Sequence, residues 1–136
     1  MIIPYLLVLY SCRLGSVSDR YLPVIPIVES SCADLTMSCE SWETNAPYDV
    51  VLFPTADNHM NPIALYLGEK TEEYLTHPYA SPLFGDFKGL PPLLIQAGDA
   101  EVLRDEIKLL THKASSAGVQ VMLELYEDAV RFSSSP

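Results

Sequence analysis

Basic residues, cysteine, histidine and glycine are all scarce in this chain, and each shortage closes off a class of function. Its 136 residues carry eight Lys and Arg against eighteen Asp and Glu, a formal charge of −10. The cations (Arg13, Arg20, Lys70, Lys88, Arg104, Lys108, Lys113 and Arg131) are scattered and form no run. Phosphate backbones are bound by clustered Lys and Arg, so nucleic acid is excluded as a partner. The acidity itself reads as a soluble, self-repelling surface. Three cysteines, Cys12, Cys32 and Cys39, are an odd set at irregular spacing, with no C-x-x-C pair and no disulfide framework. They read as reduced thiols of an intracellular, cytoplasmic protein. With His59, His77 and His112 they provide no zinc-ligand spacing. The apolar run from Met1 to Tyr10 is shorter than the roughly 20 residues of a membrane span. It has no basic lead-in and Pro4 interrupts it, so a buried strand is expected there rather than a secretory signal. Only Gly85 and Gly89 among the six glycines stand four apart, and Phe87 lies between them. A G-x-S-x-G turn, which exposes a nucleophilic serine between a strand and a helix, is therefore missing.

What the chain does have is apolar mass. Apolar residues are 49% of the sequence, enough for the core of one domain and too many for disorder. Residues 1–32 carry apolar pieces without clear periodicity, and Pro23 and Pro26 argue against a central strand there. Residues 33–132 are better organised, and 133–136 form a tail. The polar stretch from Asp34 to Asn58 reads as a long surface excursion. Pro62 is placed to start a helix running to Leu67 and ended by Gly68, and a second short helix is expected near Thr71–Leu75.

The last third is the most legible. Leu93 to Ala97, preceded by Pro92 and closed by Gly98, predicts a buried strand. Leu103, Ile107, Leu110, Ala114 and Ala117 recur at four- and three-residue steps, one stripe of a helix that Gly118 closes. Asp99 or Asp105 places negative charge near its N-terminal turn. Val119, Val121, Leu123 and Leu125 then alternate with polar or larger residues, which predicts a second strand. Strand, helix and strand in this order form a βαβ unit, hence a mostly parallel α/β sheet. One such unit does not bury itself, so the rest of the sheet has to come from residues 1–60 or from sequence outside this chain.

In open α/β sheets the ligand crevice lies beyond the carboxyl ends of the strands. Gly98-Asp99-Ala100-Glu101 occupies that place. By position alone, the simpler reading is that Asp99 caps the helix and Glu101 decorates its first turn. A resemblance shifts this balance. The stretch from His77 to Val130, HPYASPLFGDFKGLPPLLIQAGDAEVLRDEIKLLTHKASSAGVQVMLELYEDAV, resembles the C-terminal portion of the α/β-hydrolase fold-3, hormone-sensitive-lipase-like esterases, particularly their fungal members. DLTMSCESWETN, from Asp34, resembles them too. The resemblance implies a partial α/β-hydrolase fold, carboxylic esters as small-molecule substrates and no metal or organic cofactor. It places Glu101 at the family's triad acid, with Asp99 as runner-up and Asp105 supporting the loop and helix. In that role the acid holds a histidine's tautomer and stabilises its imidazolium.

Three departures accompany the resemblance. Where the family pattern E-D-x-x-H has its histidine, this chain has Arg131, whose guanidinium stays charged and accepts no proton. The nucleophile turn is absent, and no two glycines are adjacent to form the family's oxyanion segment. The family's entry to the region after the nucleophile is altered to Ser30-Ser-Cys-Ala-Asp-Leu-Thr36. The expectation is a truncated or degenerate esterase, inactive alone. The alternative is a non-catalytic binding module using Trp42 and Tyr48. A half sheet also exposes strand edges, which allows self-association.

Overall fold

The computed structural model describes residues 27–50, 52, 63 and 67–127. The expected strand at 1–10, the loop tip at 53–58 and most of the helix expected at 62–67 lie outside the described residues. So do His59 and Arg131.

Three parallel strands form the described sheet, in the order β1 (Ile27–Glu29), β2 (Leu93–Gly98), β3 (Val121–Tyr126). The register runs Ile27 opposite Leu94 and Leu94 opposite Met122, continuing to Gly98 opposite Tyr126. β2 and β3 are joined by helix α3 (Arg104–Ser116), so the expected βαβ unit is present. Short helices α1 (Ser41–Thr44) and α2 (Thr71–Tyr74) lie outside this unit, with single 3-10 turns at Gly68–Lys70 and Pro82–Phe84. Among the described residues, no helix is long and apolar enough to cross a membrane.

The apolar stripe does what its spacing predicts. Leu103, Ile107, Leu110 and Ala114 are buried and join Leu93, Ile95 and Ala97 of β2 in one core. Glu106, inside the same helix, is buried with them, and no hydropathy pattern pointed to it. The helix ends in a two-bond Schellman closure. The Val119 amide donates to the Ala114 carbonyl at 3.1 Å, and the Gly118 amide to Ser115 at 3.0 Å. This closure needs a left-handed residue, and Gly118 supplies it at φ 85°.

Pro23 and Pro26 argued against a central strand, and β1 begins at Ile27, directly after Pro26, at the edge of the described sheet. A proline lacks only its own amide, so the residues beyond it pair normally. The excursion from Asp34 is not a surface feature over its first half: Asp34, Leu35, Ser41, Asn45 and Asp49 are buried. Its polar side chains find backbone partners in the core, and polar burial of that kind carries no hydropathy signature. In β3 the alternation fails at the end, where Leu125 is exposed and Tyr126 half-buried.

Ile107→Ala removes a side chain with no exposed surface from the centre of the core. Chemical denaturation should show a loss of about 2–5 kcal/mol. Gly118→Ala meets open space, since nothing lies within 4 Å of the added carbon. Its cost should be the backbone term alone, roughly 1–2 kcal/mol.

Candidate active site

Glu101 lies just beyond the carboxyl end of β2, in the turn between Gly98 and Arg104. It does not decorate the helix. Its side chain is fully buried, and Oε1 accepts from the Ser30 hydroxyl at 2.7 Å and from the Gly98 amide at 3.2 Å. Ser30 directly follows β1 and holds φ at 36°, an unusual backbone angle for a residue with a side chain. Its amide still bonds the Gln96 carbonyl at 2.9 Å, so the kink occurs where the ladder ends. The parallel pairing of β1 and β2 therefore brings Ser30 and Glu101 together across 71 positions of sequence.

The turn that carries Glu101 is bonded from outside by three side chains of one segment, Ser41, Asn45 and Asp49. The Asn45 amide nitrogen donates to the carbonyls of Asp99 (2.9 Å) and Glu101 (2.8 Å). An Asp49 oxygen accepts the Val102 amide at 3.1 Å. The Ser41 hydroxyl donates to the Val102 carbonyl at 2.6 Å and accepts the Asp105 amide at 3.2 Å. A spacing of four residues sets these side chains along the path of α1 and its continuation. That S-x-x-x-N-x-x-x-D spacing is the one signal in the sequence that could have identified them.

The other acids of the turn have different surroundings. Asp99 does not cap α3. Leu103 occupies the N-cap place, with no side-chain bond to the helix, and the Asp99 amide continues the ladder to Tyr126 at 3.0 Å. Asp105 sits in the first turn, accepts the Ser41 amide at 3.0 Å and pairs with Arg104 at 2.9 Å. The hydrogen bond from Arg104 holds its carboxyl below the usual aspartate range. Asp105 thus ties the segment at Ser41 to the first turn of α3.

The two described histidines stand elsewhere. His112 is exposed on α3. His77 accepts the Tyr79 amide at 3.2 Å and packs against the rings of Tyr74 and Tyr79. Trp42, expected as an aromatic of a binding surface, is half-buried, with its indole N–H on Glu106 at 3.0 Å. Tyr48 is exposed. No group of three metal-ligating side chains occurs among the described residues.

A family model described as "alpha/beta hydrolase fold" matches residues 14–132. An acetyl-hydrolase of Streptomyces hygroscopicus is 39% identical over 108 residues, covering 76% of this chain and 33% of the relative. An esterase of Acinetobacter venetianus is 39% identical over 106 residues, covering 74% and 32%. A solved esterase of the bacterial hormone-sensitive lipase family superposes with a TM-score of 0.73 at 36% identity, covering 93% of this chain and 41% of that one. EstE5, in a crystal soaked with ethyl alcohol, gives 0.67 at 40% identity, with coverage of 93% and 41%. The chain spans about a third of the length of the curated relatives it matches.

Asn45→Ala would leave two carbonyls of the Glu101 turn short of a buried donor. A loss of about 1–3 kcal/mol in denaturant unfolding is expected. Asn45→Asp, which places an acceptor against two acceptors, should cost more than alanine. Equal stability of the aspartate variant and the parent chain would show that Asn45 does not hold the turn.

Proposed function

Since the chain belongs to the α/β-hydrolase fold-3 family of hormone-sensitive-lipase-like esterases, we infer that it is the acid-bearing portion of a serine carboxylic-ester hydrolase, with Glu101 as the triad acid. The observation that carries this reading is the burial of Glu101 at the carboxyl end of β2, with one oxygen held by Ser30 and Gly98. A triad acid works by being fixed: it orients a histidine and stabilises the imidazolium that forms when the serine proton is taken. The Ser41, Asn45 and Asp49 bonds provide that fixity by holding the backbone on both sides of Glu101.

Acyl transfer also needs a nucleophile, a base and oxyanion donors. The 136 residues contain no G-x-S-x-G turn, and Arg131 stands at the place expected for the histidine. By itself the chain orients no base, and we expect it to be inactive. The substrate class of the complete constellation is a carboxylic ester. The fungal affiliation belongs to this proposal and rests on the sequence resemblance. Cys32 and Cys39 are free thiols, which fits a reducing compartment such as the cytoplasm. A separate binding role is less well supported, because Trp42 is turned inward to Glu106.

Two assays test this reading. The purified chain should hydrolyse a short-chain p-nitrophenyl ester no faster than buffer, and a serine-directed phosphonate should not label it. Labelled protein with measurable turnover would refute inactivity. Grafting this chain's residues 93–126 into a hormone-sensitive-lipase-like esterase should preserve activity. Glu101→Ala in that graft should then lose about 10³–10⁴-fold in kcat. Unchanged turnover would remove Glu101 from the role.

The open face of the sheet carries a further expectation. Ile27, Leu94 and Met122 are neighbours across it, and Ile27 and Met122 are 45% and 61% exposed. The chain should self-associate through this row, and Met122→Lys should move its elution in size-exclusion chromatography toward the monomer. An unmoved elution volume would place the contact elsewhere.

A further inference from the structure

We propose that copies of this chain stack head to tail, the outer face of helix α3 in one copy covering the open sheet face of the next. The stacking rests on the self-association expected above and adds its counter-surface: the sheet face is one half of the contact and α3 is the other. It stands whether or not Glu101 is a triad acid.

The two sides of the sheet differ in character. Leu93, Ile95 and Ala97 point into the core that Leu103, Ile107, Leu110 and Ala114 of α3 close. Alternation turns Leu94 and Gln96 the other way. The register sets Ile27, Leu94 and Met122 side by side on that open face, and two residues further on, Glu29, Gln96 and Glu124. Ile27 and Met122 are exposed, and the second row is half-buried. No Lys or Arg occurs in β1, β2 or β3. The Gln96 amide nitrogen and the Tyr126 hydroxyl both donate to Oε2 of Glu124, at 2.6 and 2.8 Å. These bonds, Gln96 first, hold the Glu124 carboxyl below the usual glutamate range. The open face is therefore an apolar row beside an acidic one. Parallel sheets are normally covered by helices on both faces.

The outer face of α3 has the matching composition. Its exposed positions are Lys108, Leu109, His112, Lys113, Ser115 and Ser116, without an acid among them. The acids of the helix are engaged elsewhere: Glu106 is buried and Asp105 pairs with Arg104. In a chain with eighteen acids and eight cations, such a face is the exception. Leu109 stands half exposed among the cations. Helix and sheet also match in length: 13 helical residues and six strand residues each span about 20 Å. Leu109 then covers the Ile27, Leu94 and Met122 row, and Lys108 and Lys113 face the carboxylates of Glu29 and Glu124.

The direction of growth follows from the layers. Because α3 packs on one side of the sheet, its outer face and the open sheet face look in opposite directions. A contact between two such surfaces leaves one of each free at the ends, so the assembly does not close at two copies. A two-fold pair of sheet faces would instead bring the Glu29 and Glu124 carboxylates of both copies into one contact, against like-charge repulsion.

Sedimentation velocity of the full chain should show species that grow with concentration past the dimer. Sodium chloride at 1 M, where charges are screened within about 3 Å, should weaken the association. Lys108→Gln combined with Leu109→Gln removes the helix contact, and Met122→Lys removes the sheet contact. Each variant by itself should be monomeric, with the circular dichroism of the unmodified chain. Mixed in equal amounts, they should form a one-to-one pair of twice the chain mass that grows no further, since the intact sheet face of one takes the intact helix of the other. A mixture that stays monomeric would overturn the stacking. A dimer that Met122→Lys dissolves and the helix variant leaves unchanged would remove α3 and keep the sheet-face contact. A chain that is monomeric at every concentration would remove both. Should either variant fail to fold, the unmodified chain decides: growth that stops at the dimer, or association that salt strengthens, counts against the stacking.

Discussion

The turn from Gly98 to Asp105 is buried at Gly98 and from Glu101 to Leu103, and a buried backbone must have its amides and carbonyls hydrogen-bonded. That constraint organises everything around it. A turn between a strand and a helix is too short to satisfy its own peptide groups. The partners come instead from Ser41, Asn45 and Asp49, more than 50 positions earlier. The segment that holds them must fold back over the carboxyl end of the sheet, which is why its polar residues are inside. Removing any one of them would leave a peptide group desolvated without a partner, a larger loss than that of an ordinary surface bond.

The same economy explains how a chain of net charge −10 places several acids in its interior. Glu101, Glu106, Asp34 and Asp49 are all buried, and each accepts hydrogen bonds from backbone amides or short side chains. Cations play little part, since the described ion pair, Arg104 with Asp105, is partly exposed. Amide donors stabilise a carboxylate through direction and proximity and need no compensating buried charge. At Glu106 that compensation is incomplete, so its proton affinity rises toward neutrality.

What stabilises the described region is physically separable from acyl-transfer chemistry. The described region contains the strand, turn and helix that position Glu101, with the kinked Ser30 bonded to its carboxyl. The core of the βαβ unit depends on apolar packing, and the turn depends on the clamp. Neither depends on a serine or a histidine. Stability of the described region therefore does not require a serine nucleophile or a histidine base.

How much of this was legible beforehand differs sharply along the chain. The βαβ unit was, because a period of two in β3 and the stripe Leu103, Ile107, Leu110 and Ala114 are local consequences of which side chains face the core. The end of α3 was as well, because only glycine adopts φ 85° cheaply. Glu101 was marked out by its place after a strand and by a family resemblance, not by periodicity. The strand β1, the inward course of residues 33–50 and the burial of Glu106 were not legible. Their partners lie 46 to 73 positions away, and no window of local sequence contains both ends of such a bond. Apolar spacing by itself determined the sheet-and-helix frame, since hydrophobic burial requires only that a face be apolar. Only the tertiary structure decided which polar residues go inside, because burying a polar group depends on the donor or acceptor that meets it there.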